Sequence, residues 1–211
     1  MRYYNYIDKY LDELEQDIYE QPPDEWHTRQ ATDVINKWIP LLKDCHSVLD
    51  VGCGQGFCLP IFTSLGISYY GITLGADYEE APNQCWMIFE QDFSFIPWKD
   101  DTIDLIFSRH SLEHSPMPLL TLMEWHRVAR KYLCLILPKP DYCGFKMPNH
   151  YSVLYLEQIE FLLDRAGWEI MWTDHDTTKE EYRFMCIKVP RINKLEIKNY
   201  AVEMNYDKVL T

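Results

Sequence analysis

The chain has 211 residues, enough for one domain with a full core. Its net charge of −13, with no long Lys/Arg run, disfavours a nucleic-acid partner, whose phosphates call for clustered cations. Seven scattered cysteines without a C-x-x-C pair suit buried thiols in a reducing compartment better than disulfides or zinc. Met1-Arg2-Tyr3-Tyr4-Asn5-Tyr6 is not a signal peptide, and no run of about 18 apolar residues occurs, so a soluble cytoplasmic protein with no membrane partner is expected.

Tyr3, Ile7, Tyr10, Leu11, Leu14 and Ile18 recur at helical steps, and Pro22-Pro23 ends that segment. A second helix is predicted over 28–39, with Ala31, Val34, Ile35 and Trp38 on one face and Pro40 as its stop. Strands are then predicted over 47–51, 68–74, 86–89, 103–107 and 132–137. Helices fit between them over 59–65 and 118–130, with at best a turn over 79–83. A Pro- and Gly-rich loop follows Pro138, then a helix over 156–166 stopped by Gly167. Two further strands, 168–172 and 182–189, flank a polar hairpin loop, and the tail has weak periodicity. Alternating apolar strands and helices indicate an α/β fold, a mostly parallel sheet covered on both sides. Residues 1–40 are assigned as an N-terminal helical cap, 41–190 as the main domain and 191–211 as a tail.

The most informative stretch is Val48-Leu49-Asp50-Val51-Gly52-Cys53-Gly54-Gln55-Gly56. A buried strand ends in an acidic residue, and glycines then let the backbone turn and approach a ligand. The third glycine arrives one residue earlier than in the Gly-x-Gly-x-x-Gly turn of dinucleotide-binding proteins. Further on come Gln91-Asp92-Phe93, Ile96-Pro97-Trp98, Asp101-Thr102-Ile103-Asp104 and Leu112-Glu113-His114, and late in the chain Arg165-Ala166-Gly167-Trp168. In this order the set resembles the class I S-adenosylmethionine-dependent methyltransferases over roughly residues 28–189. The resemblance implies a Rossmann-like seven-stranded sheet with its last strand antiparallel. It implies S-adenosylmethionine as cofactor, S-adenosylhomocysteine as its product, and a small-molecule acceptor.

Under that resemblance Gly52, Cys53, Gly54 and Gln55 form the loop against the methionine tail, and Asp50 orients the loop. Asp92 accepts from the adenine amino group and Phe93 donates its backbone N–H to the ring. Strand two departs from the family pattern. Gly71-Ile72-Thr73-Leu74 puts Thr73 where most members carry an acidic residue for the ribose, with Leu74 beside it in the cofactor site and Asp77 as a nearby substitute. Ser108 and Arg109 border the sulfonium at the carboxyl end of strand four, and Arg29 reaches the methionine carboxylate.

Transfer to a hydroxyl needs a base, for which His110, His150 and His114 are the candidates, His110 ranked first. A shared helix would place His110 and His114 one turn apart. His110 to His114 also spells H-x-x-E-H, the inverted zinc-protease signature, so a zinc hydrolase is a remote alternative; no metal ligand is assigned. No Asn-Pro-Pro-Tyr or Asp-Pro-Pro-Tyr motif follows strand four, which disfavours amino methylation of nucleobases. The expected function is methyl transfer to a hydroxyl of a sugar or other metabolite. The alternative of another class is a catalytically inactive cofactor-binding or regulatory protein.

Overall fold

The computed structural model describes residues 25–42, 44–74, 78, 87–141, 149–174 and 180–190, with side chains of the first helix from Ala31 onward. The expected helix near residues 3–18, the turn over 79–83, Asp77 and the tail 191–211 lie outside the described residues.

Helix α1, Glu25–Trp38, runs into a 3₁₀ turn, Ile39–Leu41, because Pro40 cannot continue the α-helical hydrogen bonding. Its apolar positions Ala31, Val34, Ile35 and Trp38 are all buried. The chain then alternates: β1 (Ser47–Val51), α2 (Leu59–Ser64), β2 (Ser68–Thr73), β3 (Ile88–Glu90), β4 (Ile103–Arg109), α3 (Pro118–Val128), β5 (Ala129–Pro138), α4 (Leu156–Ala166), β6 (Trp168–Asp174) and β7 (Glu181–Lys188). Gly167, at φ 92°, ends α4 in the left-handed conformation expected of a helix-stopping glycine.

The seven strands form one sheet in the order β3-β2-β1-β4-β5-β7-β6. Five are parallel neighbours from β3 to β5, and β7 inserts antiparallel between β5 and β6. This is the Rossmann-like sheet expected from the sequence. Most boundaries moved by one to three residues, and two of the shifts have a clear cause in strand pairing. β5 begins at Ala129, so α3 ends at Val128, short of the expected residue 130; Ala129 is already paired with Ile103 of β4. β3 is described from Ile88 to Glu90, ending one residue later than predicted, where Gly71, Ile72 and Thr73 of β2 pair with Ile88, Phe89 and Glu90.

Alternation along each strand feeds two cores. Leu49, Ile106, Leu133, Leu135 and Phe184 face one layer with Leu122, Trp125, Ile159 and Leu163 of α3 and α4. Val48, Leu105, Phe107, Cys134, Ile136 and Met185 face the other, with Val34, Ile35 and Trp38 of α1 and Phe62 of α2. Both faces of the central strands are therefore apolar, which is why β1, β4 and β5 read as continuous hydrophobic runs. Polar groups are left for the strand ends.

Candidate active site

The carboxyl ends of β1, β2 and β4 lie side by side, since Val51 pairs with Ile72 on one side and Ser108 on the other. The strand order reverses at β1, the usual place for a ligand in an open α/β sheet. The loop after β1 has Gly52, Gly54 and Gly56 all at positive φ, 70°, 54° and 83°. Gly52 and Cys53 both donate to the Ile72 carbonyl, at 2.9 and 3.0 Å, which folds the loop back over β2. A Cβ on Gly52 would stand 2.2 Å from Ser111 Oγ. Ser111 in turn donates to the Val51 carbonyl at 2.8 Å, so the loops after β1 and β4 are locked together. Cys53 packs its sulfur where a Cβ on Gly71 would be, 2.6 Å away, and Gln55 is half-buried on the same loop.

Asp50 is buried beneath this loop. Its Oδ2 accepts from the Tyr69 hydroxyl at 2.8 Å, and the Cys58 thiol also bonds to it. Burial raises its pKa to about 7, with both hydrogen bonds pulling the other way. Thr73 ends β2 buried, and Leu74 beside it is half-buried; the Thr73 carbonyl accepts from Gln91 N at 2.9 Å and so sets the chain leaving β3. Asp92 follows. Its Oδ1 accepts from Ser94 N at 2.8 Å, while Oδ2 is buried with no hydrogen-bond partner among the described residues. Burial raises the Asp92 pKa against the two bonds from Ser94. Phe93 is held by Trp125, whose Nε1–H donates to its carbonyl at 2.9 Å.

Beyond β4 the expected residues separate. Ser108 is wholly buried, and its hydroxyl lacks a partner among the described residues. Arg109 turns along the sheet edge to β7, where its guanidinium meets Glu181 Oε1 at 2.7 Å. His110, at φ 52°, ends the strand, and its Nε2 lies 3.0 Å from the same oxygen. Arg183 holds the other Glu181 oxygen at 2.8 Å. Burial alone would raise the Glu181 pKa, but His110, Arg109 and Arg183 keep it well below the usual carboxylate range.

The shared helix expected for His110 and His114 is absent. His110 is in the left-handed region, and only a 3₁₀ turn, Leu112–His114, follows before Ser115 and Pro116. The inverted zinc-protease geometry is therefore not formed, and His114 meets His150 instead, edge to face at 4.8 Å between ring centroids. His114 Nδ1 is 3.0 Å from the Asn149 carbonyl. Burial, then the charges of His150 and His110, lowers its pKa to about 4. Glu113 beside it is 2% exposed, and burial raises its pKa to about 8. Arg29 lies in α1, and its side chain is outside the described residues.

Tyr69, Ser111, Glu181 and Arg183 are participants that sequence reasoning missed. Glu181 and Arg183 had a signal: two charges spaced two apart in a strand otherwise apolar share one face and need partners. Ser111 had none. An open cleft of about 780 Å³ lies at the opposite, amino-terminal ends of the strands, beside Ser47, Ser68, Trp98, Asp104 and Arg130. It is lined by none of these groups, and Asp104 and Arg130 within it are paired with each other at 3.1 Å.

Residues 49–134 match the profile of the methyltransferase-domain family. A probable methyltransferase of Aspergillus luteorubrus is 30% identical over 122 residues, covering 49% of this chain and 43% of that protein. The chain spans less than half the length of the curated relatives it matches. Among solved structures, the [4+2]-cyclase SpnF aligns at a TM-score of 0.67 with 16% identity, over 82% of this chain and 85% of its own. Magnesium protoporphyrin IX methyltransferase of Synechocystis PCC 6803, solved with S-adenosylhomocysteine bound, aligns at 0.60 with 16% identity, over 77% and 83%. Over residues 49–134 the chain is similar to the methyltransferase-domain family, and its sheet has the Rossmann-like order of the methyltransferase structures it resembles.

Proposed function

We propose that the chain transfers a methyl group from S-adenosylmethionine to a small or medium-sized acceptor, at a hydroxyl of a sugar or other metabolite. The observation that carries the cofactor half is Asp92 Oδ2, a buried acceptor with no donor among the described residues, placed just past β3. A buried acceptor left without a donor is costly, and an exocyclic amine is the donor it suits. Gly52, Cys53, Gly54 and Gln55 would line the methionine tail, and the Phe93 backbone N–H would meet the ring. Thr73 offers the ribose one hydroxyl in place of a two-oxygen carboxylate grip, with Leu74 against the base. When bound, the cofactor supplies an electrophilic methyl on a sulfonium.

The acceptor half rests on the groups past β4. His110 is the base best supported, because Glu181 sits at its Nε2, and a carboxylate so placed fixes the imidazole and stabilises its protonated form. His114 is the weaker base, since burial disfavours its charged form. Arg109 acts on this half through Glu181 and not on the cofactor tail.

Calorimetry with S-adenosylhomocysteine, S-adenosylmethionine and NAD tests the cofactor half; binding of the first two and not NAD is expected, and the reverse overturns it. Methyl-labelled cofactor offered with a panel of hydroxylated metabolites tests the acceptor half, with O-methylated product read by mass spectrometry. Tight cofactor binding with no label transferred to any acceptor favours a regulatory binding protein. Label found on nitrogen or carbon overturns the hydroxyl assignment.

A further inference from the structure

Past β4 and β5 lies a group of ligand-type side chains that cofactor binding does not use. Glu113, His114 and His150 each offer one oxygen or ring nitrogen, and these atoms lie within 4.8 Å of one another. They arrive from two segments. Glu113 and His114 sit in the 3₁₀ turn after β4, and His150 comes from the chain that returns after β5. Two contacts stitch the segments together on either side of His150. The Asn149 carbonyl faces His114 Nδ1 at 3.0 Å, and Ser152 N donates to the Glu113 carbonyl at 2.9 Å.

That arrangement sets the chemistry of His114. A carbonyl only accepts, so Nδ1 carries the proton and Nε2 presents its lone pair. Metal-binding histidines are commonly held this way, with the outer N–H on a backbone carbonyl fixing tautomer and ring. Glu113 supplies the independent observation. It is 2% exposed, and its Oε2 has no hydrogen-bond partner among the described residues. An enclosed carboxylate oxygen without a donor is costly, and a cation beside it removes that cost.

We propose that Glu113, His114 and His150 form a binding site for one divalent transition cation of the zinc type. Two imidazoles and one carboxylate suit a borderline cation; magnesium and calcium favour all-oxygen sets. Three protein ligands leave at least one coordination position open. What the ion does there rests on the methyltransferase reading. The acceptor hydroxyl oxygen takes the open position, its O–H bond breaks, and the proton passes to His110. The oxygen lone pair then forms the bond to the methyl carbon while the carbon–sulfur bond breaks toward sulfur.

The test uses the whole chain, stripped of metal by a chelator and titrated with Zn(II) alone and with Co(II) alone. One equivalent per chain is expected, with Co(II) absorption of a nitrogen–oxygen site and no thiolate charge-transfer band. Glu113→Gln and His150→Ala should each weaken uptake by more than the about 10–100-fold that loss of an outer-shell partner costs. His126→Ala, whose ring contacts the Val189 carbonyl outside the cluster, should bind as the parent does. Circular dichroism of each variant separates loss of the site from loss of the fold, and Glu113→Gln keeps side-chain volume. The titration contains no S-adenosylmethionine, so its failure leaves the methyltransferase reading standing; failed cofactor binding leaves the metal site standing. No saturable uptake, uptake through thiolate, or equal uptake by folded Glu113→Gln and His150→Ala variants overturns the proposal.

Discussion

At the scale of single residues, Asp92 and Asp50 show how one buried carboxylate differs from another. Asp92 uses one oxygen to hold Ser94 N and keeps the other without a donor among the described residues. Asp92→Asn keeps an oxygen for Ser94 and sets an amide N–H₂ where an acceptor is needed. Affinity for S-adenosylhomocysteine should fall by about 1.5–3 kcal/mol, the range for a hydrogen bond to a charged group, with the melting temperature little changed. Calorimetry checks the first and a thermal melt the second. Asp50 instead spends an oxygen on Tyr69, and burial raises its pKa from 3.8 to about 7. A raised folded-state pKa means the stability contribution is complete below the unfolded value and is lost as pH climbs through the folded one. Asp50→Asn removes the titration while preserving an acceptor for Tyr69. The cofactor-free variant should therefore gain stability relative to the parent between about pH 4 and pH 8, by at most about 4 kcal/mol. Urea unfolding at several pH values reads this directly; a constant difference would show that Asp50 is ionised throughout.

At the scale of elements, the glycine loop and the turn after β4 are one unit. Gly52→Ala would drive its Cβ to 2.2 Å from Ser111 Oγ and 2.8 Å from Ser111 Cβ, at a φ of 70° that side chains rarely adopt. Stability and cofactor affinity should both fall. Ser111→Gly removes both clashing atoms, so the double variant should recover the steric part and keep the φ cost of about 1 kcal/mol together with the loss of the Ser111–Val51 hydrogen bond. A double-mutant cycle measured by denaturant unfolding tests that coupling; additive losses would show that the two loops do not share their strain. This unit was half legible in the sequence. Glycines at every second position after an apolar strand announced the turn, and six of the seven strands and three of the four helices fell within two residues of prediction. The partner of Gly52 was not legible, since Ser111 lies far along the chain in a segment whose spacing suggested a helix. That segment misled because the four-residue spacing of His110 and His114 is a local signal. His110 is set instead by non-local contacts, its N–H on the Ile136 carbonyl and its ring beside Glu181.

At the scale of the whole molecule, Glu181 joins the reacting edge of the parallel sheet to its antiparallel addition. It opens β7 opposite Pro138 of β5, yet its carboxylate reaches Arg109 and His110 at the end of β4 and Arg183 on its own strand. Three cationic or protonatable groups converge on a carboxylate 3% exposed. Glu181→Gln removes the buried negative charge on which Arg109, His110 and Arg183 converge, so it should destabilise the fold by about 3–5 kcal/mol. Its folded pKa is depressed, so this stabilisation is present above the unfolded pKa and is lost only as pH falls toward the folded value, in strong acid. Glu181 is also a positioning residue for His110, and that role has a signature stability cannot mimic. Without the neighbouring negative charge, protonated His110 is less favoured. The acid limb of the kcat/KM profile should then move to lower pH while turnover falls, with affinity for S-adenosylhomocysteine nearly intact. His110→Ala should cut turnover by about 10²–10⁴-fold and abolish that limb. The pair of pH profiles decides between the two roles: if Glu181→Gln lowers only stability and leaves the acid limb where it was, the cluster is a structural clasp between β4 and β7, and the base lies elsewhere.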